Sequence, residues 1–380
     1  MIKRLFCTLL MLNVVAGLCT GCWNYREINQ MSIVAGAAID KISDGKYKLS
    51  VEIIDLKTGG VEAKVHSKKL ECYGASVYDA IRNAISINAN KLYWGHAEIL
   101  IISKDVAKEG IVEILDCFSR DPEPRLTIDI LVSKEETAEK ILDSQSITTE
   151  VRTFEINKML DLEKELEKSP KVEIYEFINS LGESGISPIM PVIGLTKNSG
   201  QETSQLSGTA VFKKDKLEYM FDQEDTKYYL FVINKIKGGI LNVKGGADNI
   251  TLKIIKSKTK LKPVYNNGKL YFDLNIKTKT SLSEINNTTK FGNVKDVQKI
   301  KAEAQSELKK EVENIIKAAQ NEYGIDIFGF GKSVKQDIPD LWKKIESDWN
   351  TVFKNVSVSV NVDIDISNSG LLSRKIMMGD

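Results

Sequence analysis

Residues 1 to 22 constrain the rest of this chain most, because they read as an export signal closed by a cysteine. Lys3 and Arg4 form a positive start, and Leu5 to Leu18 is an apolar run of about fourteen residues, shorter than the roughly 18 to 20 that span a bilayer. Thr20 and Gly21 are small enough for a signal-peptidase pocket, and Cys22 is the residue type that lipoprotein processing converts to a diacylglyceryl thioether. Cys19 competes poorly because bulky Leu18 precedes it. Residues 1–21 are therefore expected to be removed and Cys22 to carry lipid, since two acyl chains hold a protein on a membrane durably where one is marginal. The chain beyond Cys22 must then fold as a water-soluble body tethered to an outer leaflet.

At 380 residues with 42% hydrophobic content the chain is long enough for two or three domains, each with its own core. Losing Lys3 and Arg4 with the signal turns the formal net charge from +1 to −1. A phosphate-binding surface normally shows a basic excess or stripe, so this balance gives no reason to expect nucleic acid as a partner. Beyond the signal only Cys22, Cys72 and Cys117 remain, and two buried free thiols are a simpler reading than a disulfide. His66 and His96 are the only histidines, and neither Cys72 nor Cys117 sits at ligand spacing from another donor, so no metal or other cofactor is expected. No Gly-x-Ser-x-Gly elbow occurs.

The periodicities give an α+β chain. Ile33, Ala35, Ala37 and Ile39, then Tyr47, Leu49, Val51 and Ile53, alternate around the turn-forming Ser43-Asp44-Gly45 and predict an opening hairpin. Helices are predicted over 75–89, 106–118, 151–166 and 172–181, and Ser133 with Glu136 forms a capping box ahead of Ala138, Ile141 and Leu142. Residues 199–207 overlap a polar run from Thr196 to Gln205 and read as a linker, which separates an N-terminal region (22–198, two subdomains) from a C-terminal domain (208–373) with a tail at 374–380. In the latter, Val297, Ile300, Ala304, Leu308, Val312, Ile315 and Ala319 share one stripe of a long helix. The closing strand alternates Val356, Val358, Val360, Val362, Ile364 and Ile366 with polar residues, which places Asp363 and Asp365 on a solvated face.

Gly21-Cys22-Trp23-Asn24-Tyr25-Arg26-Glu27, Gly95-His96, Arg120-Asp121-Pro122 to Arg125, and Asp326-Ile327-Phe328-Gly329-Phe330-Gly331 with Pro339, Trp342, Trp349 and Phe353 occur in order along the chain. Together they resemble the Ger(x)C family, the lipoprotein C subunits of nutrient germinant receptors in spore-forming bacteria. Asn24 stands where the family usually has Asp, and Lys354 where it often has Pro. The resemblance implies three α+β domains, two before the linker and one after it. It also implies a receptor completed by two polytopic membrane subunits, with this chain on the outer leaflet of the inner spore membrane.

Each motif also has a local reading. Trp23, Asn24, Arg26 and Glu27 come directly after the anchor and are candidate contacts with headgroups or membrane subunits, or else pack on their own domain. His96 is a candidate partner contact or a satisfied structural group. Arg120, Asp121 and Arg125 are candidate partner contacts, with an ion-paired turn stiffened by Pro122 and Pro124 as the local alternative. Gly331-Lys332-Ser333 ends like a phosphate loop, but Asp326 occupies the position that requires glycine, so a tight turn is expected. The leading function is a non-enzymatic receptor subunit acting in assembly or signalling. The alternative is a solute-binding surface lipoprotein, which needs a cleft with convergent polar groups.

Overall fold

A computed structural model describes residues 1–18, 30–56, 65–245, 248–286 and 294–367. In chain order the first part comprises α1 (Ile2–Leu18), β1 (Met31–Lys41), β2 (Tyr47–Leu56), β3 (Val65–Gly74), α2 (Val77–Asn83), β4 (Lys91–Tyr93), β5 (Ile99–Ile102), α3 (Lys104–Glu109), α4 (Val112–Arg120) and β6 (Asp129–Ser133). Then come α5 (Glu139–Asp143), α6 (Arg152–Asp161), α7 (Glu163–Leu166), α8 (Ile174–Gly182), β7 (Ile189–Asn198), β8 (Gln201–Lys213) and β9 (Lys216–Phe221). The last part comprises α9 (Gln223–Val232), β10 (Ile240–Gly245), β11 (Asp248–Asn266), β12 (Lys269–Asn286), α10 (Val294–Ala318), α11 (Phe330–Asp337), α12 (Pro339–Ile345), α13 (Trp349–Asn355) and β13 (Ser357–Ile366). The α+β class holds.

Among the described residues the strands form two sheets. The first has nine strands in the order β3-β2-β1-β5-β6-β7-β8-β9, with β4 beside the start of β1; the second has four, β10-β11-β12-β13. The two N-terminal subdomains expected from the sequence thus share one sheet. Its centre is parallel, β1 with β5, β5 with β6 and β6 with β7, and both faces are covered. On one face Ile39, Leu100, Ile102, Ile130 and Val132 pack with residues of α2, α3, α4 and α8. On the other, Ala38, Ile99, Ile101 and Leu131 pack with Ala138, Ile141, Ile156 and Leu160 of the α5–α6 layer. Burial on both sides explains the continuous apolar runs of β5 and β6.

Several boundaries depend on contacts far away in sequence. Helix α5 begins later than the Ser133 box predicts: Ser133 Oγ accepts from the Glu135 N–H and closes a turn, while the Asp40 carboxylate of β1 accepts from the Ala138 and Glu139 N–H groups at 2.6 and 3.0 Å. Glu52 of β2 does the same for α6, accepting from the Arg152 and Thr153 N–H groups at 2.9 and 2.8 Å. The sheet caps the helices that cover it. The single helix expected over 106–118 is split, because Gly110 takes φ +129° where a side chain would strike Asp215.

The linker reading of 199–207 is corrected. Ser199 and Gly200, at φ +50° and +83°, are the two turn residues of a hairpin in which Asn198 pairs with Gln201, and Gln201 to Ser207 belong to β8. Thr203 and Ser204 are buried, with Thr203 Oγ1 donating to the Gln145 carbonyl and Ser204 bonded to Ser144. A polar strand is stable there because its hydroxyls meet polar partners. The change from one sheet to the other falls after β9.

In the second unit the apolar stripe of α10, from Ile300 to Ile316, lies on the inner face of β10–β13 and joins Phe272, Leu274, Ile276, Val360 and Ile364 in one core. Phe328, Phe330, Trp342, Trp349 and Phe353 complete it, with the Trp342 and Trp349 rings 5.3 Å apart. The units are tightly joined. Gly185 and Gly331 touch backbone to backbone, the Lys332 N–H donates to the Gly185 carbonyl at 3.0 Å, and Tyr219 stacks on Tyr323. The free cysteines Cys72 and Cys117 are buried and half-buried.

Candidate functional site

Cys22, Trp23, Asn24, Arg26 and Glu27 lie outside the described residues. Helix α1 ahead of them is exposed from Ile2 to Met11, and every member of the three cores lies at Val34 or later. No described helix is long and apolar enough to cross a membrane.

The structure brings the second and third motif regions together through a residue the sequence reading passed over. Arg120 does not pair with Asp121; its Nε donates back along α4 to Asp116 at 2.6 Å. Asp121 Oδ1 instead accepts from the Glu123 N–H and closes the proline turn. Glu123 then reaches the segment before His96, taking a hydrogen bond from the Trp94 N–H at 2.9 Å and one from Lys91 Nζ at 2.7 Å. Trp94 packs edge-on to Phe118 of α4, centroids 5.3 Å apart. His96 is exposed, edge-on to Tyr93, and Arg125 is exposed. A carboxylate held between two prolines was the available sign of Glu123, since a rigid turn aims its side chain.

Beside this turn opens a cleft of about 550 Å³ lined by Tyr47, Tyr78, Glu113, Asp116, Cys117 and Arg120 and reaching Asp121 and Pro122. Its lining carries more carboxylates than cations, with aromatic walls. Burial and the nearby Asp121 and Asp116 raise the Cys117 thiol, which keeps it protonated. That is the reverse of what a nucleophilic cysteine needs. Burial also raises Tyr47, and neither histidine lines the cleft. The groups present can hold a small polar or cationic molecule but offer no activated nucleophile.

Three buried carboxyls mark the other unusual chemistry. Asp326 accepts from the backbone N–H groups of Phe328, Gly329, Phe330 and Gly331 at 2.8–3.2 Å, and from the Trp349 indole at 3.1 Å. The segment that ends like a phosphate loop has its anion supplied by the chain itself, at the start of α11. Gly329 at φ +76° makes the turn. Burial still outweighs these donors and lifts Asp326 to about 6. Glu167 accepts from the Ile240 N–H at 3.0 Å, tying the region before α8 to the second sheet, and burial raises it to about 7. Asp129 is raised to about 7 by burial, which outweighs Lys171 at 3.2 Å; its Oδ1 has no partner among the described residues.

Two family models cover nearly the whole chain: "Spore germination protein N-terminal domain" matches residues 24–195, and "Spore germination B3/ GerAC like, C-terminal" matches 207–370. The chain belongs to the Ger(x)C family. Among its relatives, spore germination protein KC of Bacillus subtilis (strain 168) is 25% identical over 400 residues, covering 98% of each chain. Spore germination protein B3 of the same organism is 24% identical, over 93% of this chain and 95% of its own. Spore germination protein GerQC of Bacillus cereus is 22% identical, over 92% and 95%. The crystal structure of the GerBC protein matches with a TM-score of 0.57 and 22% identity, covering 90% of this Ger(x)C chain and 99% of that one, and shows the shared fold.

Proposed function

We propose that this chain is a lipid-anchored, non-catalytic subunit of a nutrient germinant receptor, required for spore germination through receptor assembly or signalling. The observation that carries this reading is the match of both family domains, in order and nearly full length, to proteins named for spore germination. Loss of residues 1–21 and acylation of Cys22 would place the body on the outer leaflet of the inner spore membrane beside two polytopic subunits. Trp23, Asn24, Arg26 and Glu27 would lie at that membrane. The surface joined by Glu123, with His96, Arg120, Asp121 and Arg125, is the candidate face for those subunits.

The cleft beside Arg120 favours a second reading, in which the body captures a small polar or cationic nutrient itself. Two experiments test and separate them: titration of the purified body with the nutrient, and germination of spores lacking the chain, or carrying Cys22→Ala, scored by loss of refractility after each of several nutrients and after a receptor-independent trigger. The subunit reading expects one nutrient response to vanish on deletion and to weaken with Cys22→Ala, while the independent trigger works. Normal responses to every nutrient, with redundant receptors deleted, would reject it. Heat released on titrating the purified body with the nutrient would favour capture.

A further inference from the structure

We propose that the outer face of the four-stranded sheet is an electrostatic docking surface for anionic phospholipid headgroups. The β11–β12 hairpin sets Lys256, Lys258, Lys260 and Lys262 on one side of β11 and Lys277 and Lys279 on the same side of β12, all exposed. The inward residues between them, Thr259, Leu274, Ile276 and Thr278, are buried against the core. Pairing places Lys256 directly opposite Lys279 and Lys258 directly opposite Lys277. Like charges in that position destabilise a sheet. Carboxylates compensate only in part: Asp273 lies opposite Lys262, and Asp363 and Asp365 lie beside Lys277 and Lys279 in register, with Asp363 also ion-paired to Lys301 of α10 at 3.3 Å. The six lysines still outnumber these three aspartates, and the excess points to an anionic surface outside the chain.

The chemistry favours a lipid surface. The hairpin contains no arginine, the side chain that grips a fixed phosphate with two parallel hydrogen bonds. Lysine point charges suit mobile, unoriented headgroups, and each contributes near an anionic membrane. At one end of the face Ile240 sits opposite Lys253, and Ile255 precedes Lys256; both isoleucines are exposed, the mixture of apolar and basic side chains that seats in an interface. The proposal rests on the anchored reading to the extent that a lipid at Cys22 keeps the sheet within reach of a bilayer.

The test uses the chain from residue 22 with Cys22→Ala, which retains every core residue and carries no acyl group. Co-sedimentation with vesicles of phosphatidylglycerol and phosphatidylcholine is compared with pure phosphatidylcholine, at low and high ionic strength. Binding is expected only to the anionic vesicles, and it should fall with salt. Replacing Lys256, Lys258, Lys260 and Lys262 by Thr should weaken it about fivefold per lysine, on the order of a hundredfold or more in all. The same number of lysine-to-threonine changes on the exposed side of α10 should leave it nearly unchanged. Should the quadruple variant fail to fold, the Lys260→Gln, Lys262→Gln double variant takes its place, with a loss of more than tenfold expected. Equal binding to neutral vesicles, no loss in the variants, or tighter binding to duplex DNA than to the vesicles would overturn the proposal. Because the protein tested has no lipid, such a failure leaves the anchor untouched; acylation is read separately from the mass of the chain extracted from membranes.

Discussion

The nine-stranded sheet is closed on both faces, whereas the four-stranded sheet is closed on one. In the first, Ile99, Ile101 and Leu131 face one helical layer while Leu100, Ile102, Ile130 and Val132 face the other, so no residue of β5 is left to meet water. In the second, Phe272, Leu274 and Ile276 face α10 and the intervening residues face outward. The difference shows where such a chain can vary without unfolding. A sheet with two dry faces tolerates charge only where the covering layer supplies partners, as the helix N–H groups do for Asp40 and Glu52. A sheet with one wet face can carry a row of lysines at little cost to its core.

The largest effect that would test this contrast is Ile101→Asp. A carboxylate placed between β1, β6 and the α6 layer has no partner there, so the cost should exceed about 4 kcal/mol and the protein should lose its cooperative unfolding transition. Circular dichroism and soluble yield check this; a stable, cooperatively folding variant would mean that the second layer is not closed.

An intermediate effect comes from the buried carboxyls. Asp129 and Glu167 are raised to about 7 and Asp326 to about 6, while unfolded carboxyls titrate near about 4. Below pH about 4 both states hold these protons and nothing is lost. Between about 4 and 7 only the unfolded chain releases them, so folding stability should fall as pH rises, by up to about 4 kcal/mol from Asp129 alone. Asp129→Asn should recover about 1 to 3 kcal/mol of that decline. Urea denaturation at a series of pH values measures it, and a flat profile in the wild type would contradict the assignment.

The smallest effect is expected on the wet face. Lys258→Thr removes one member of a like-charged pair and adds a residue with better strand propensity, so stability should stay within about 0.5 kcal/mol or rise slightly. Thermal unfolding reads this. A loss above about 1 kcal/mol would show that the lysines hold the sheet together and would remove the reason to seek an external anion.

Much of the fold was legible because its signal is periodic and local. The stripe from Val297 to Ala319 gave α10, and the alternation from Val356 to Ile366 gave β13, since a helix or strand with one apolar face repeats at its own period. The α+β class comes from the same kind of pattern. The lysine row was visible too, at every second residue from Lys256 to Lys262, but the near-neutral whole-chain charge concealed it; summed charge carries no information about where charges lie.

The remaining features depend on groups that meet only after folding. Nothing near residue 138 or 152 announces that Asp40 and Glu52 will cap α5 and α6, because a cap needs only an acceptor within reach and the sheet delivers one across about a hundred residues. Thr203 and Ser204 read as linker because polar strands look like loops until their partners Gln145 and Ser144 are known. Asp326 looked like a broken phosphate loop, and Glu123 like one more charge in a turn; their roles come from the donors arranged around them. The sequence by itself determined the periods, the breaks and the apolar run that precedes Cys22, which are properties of neighbours along the chain. Folding decided how many sheets there are, which face stays wet and which carboxylates are buried, because burial and hydrogen bonding are properties of neighbours in space.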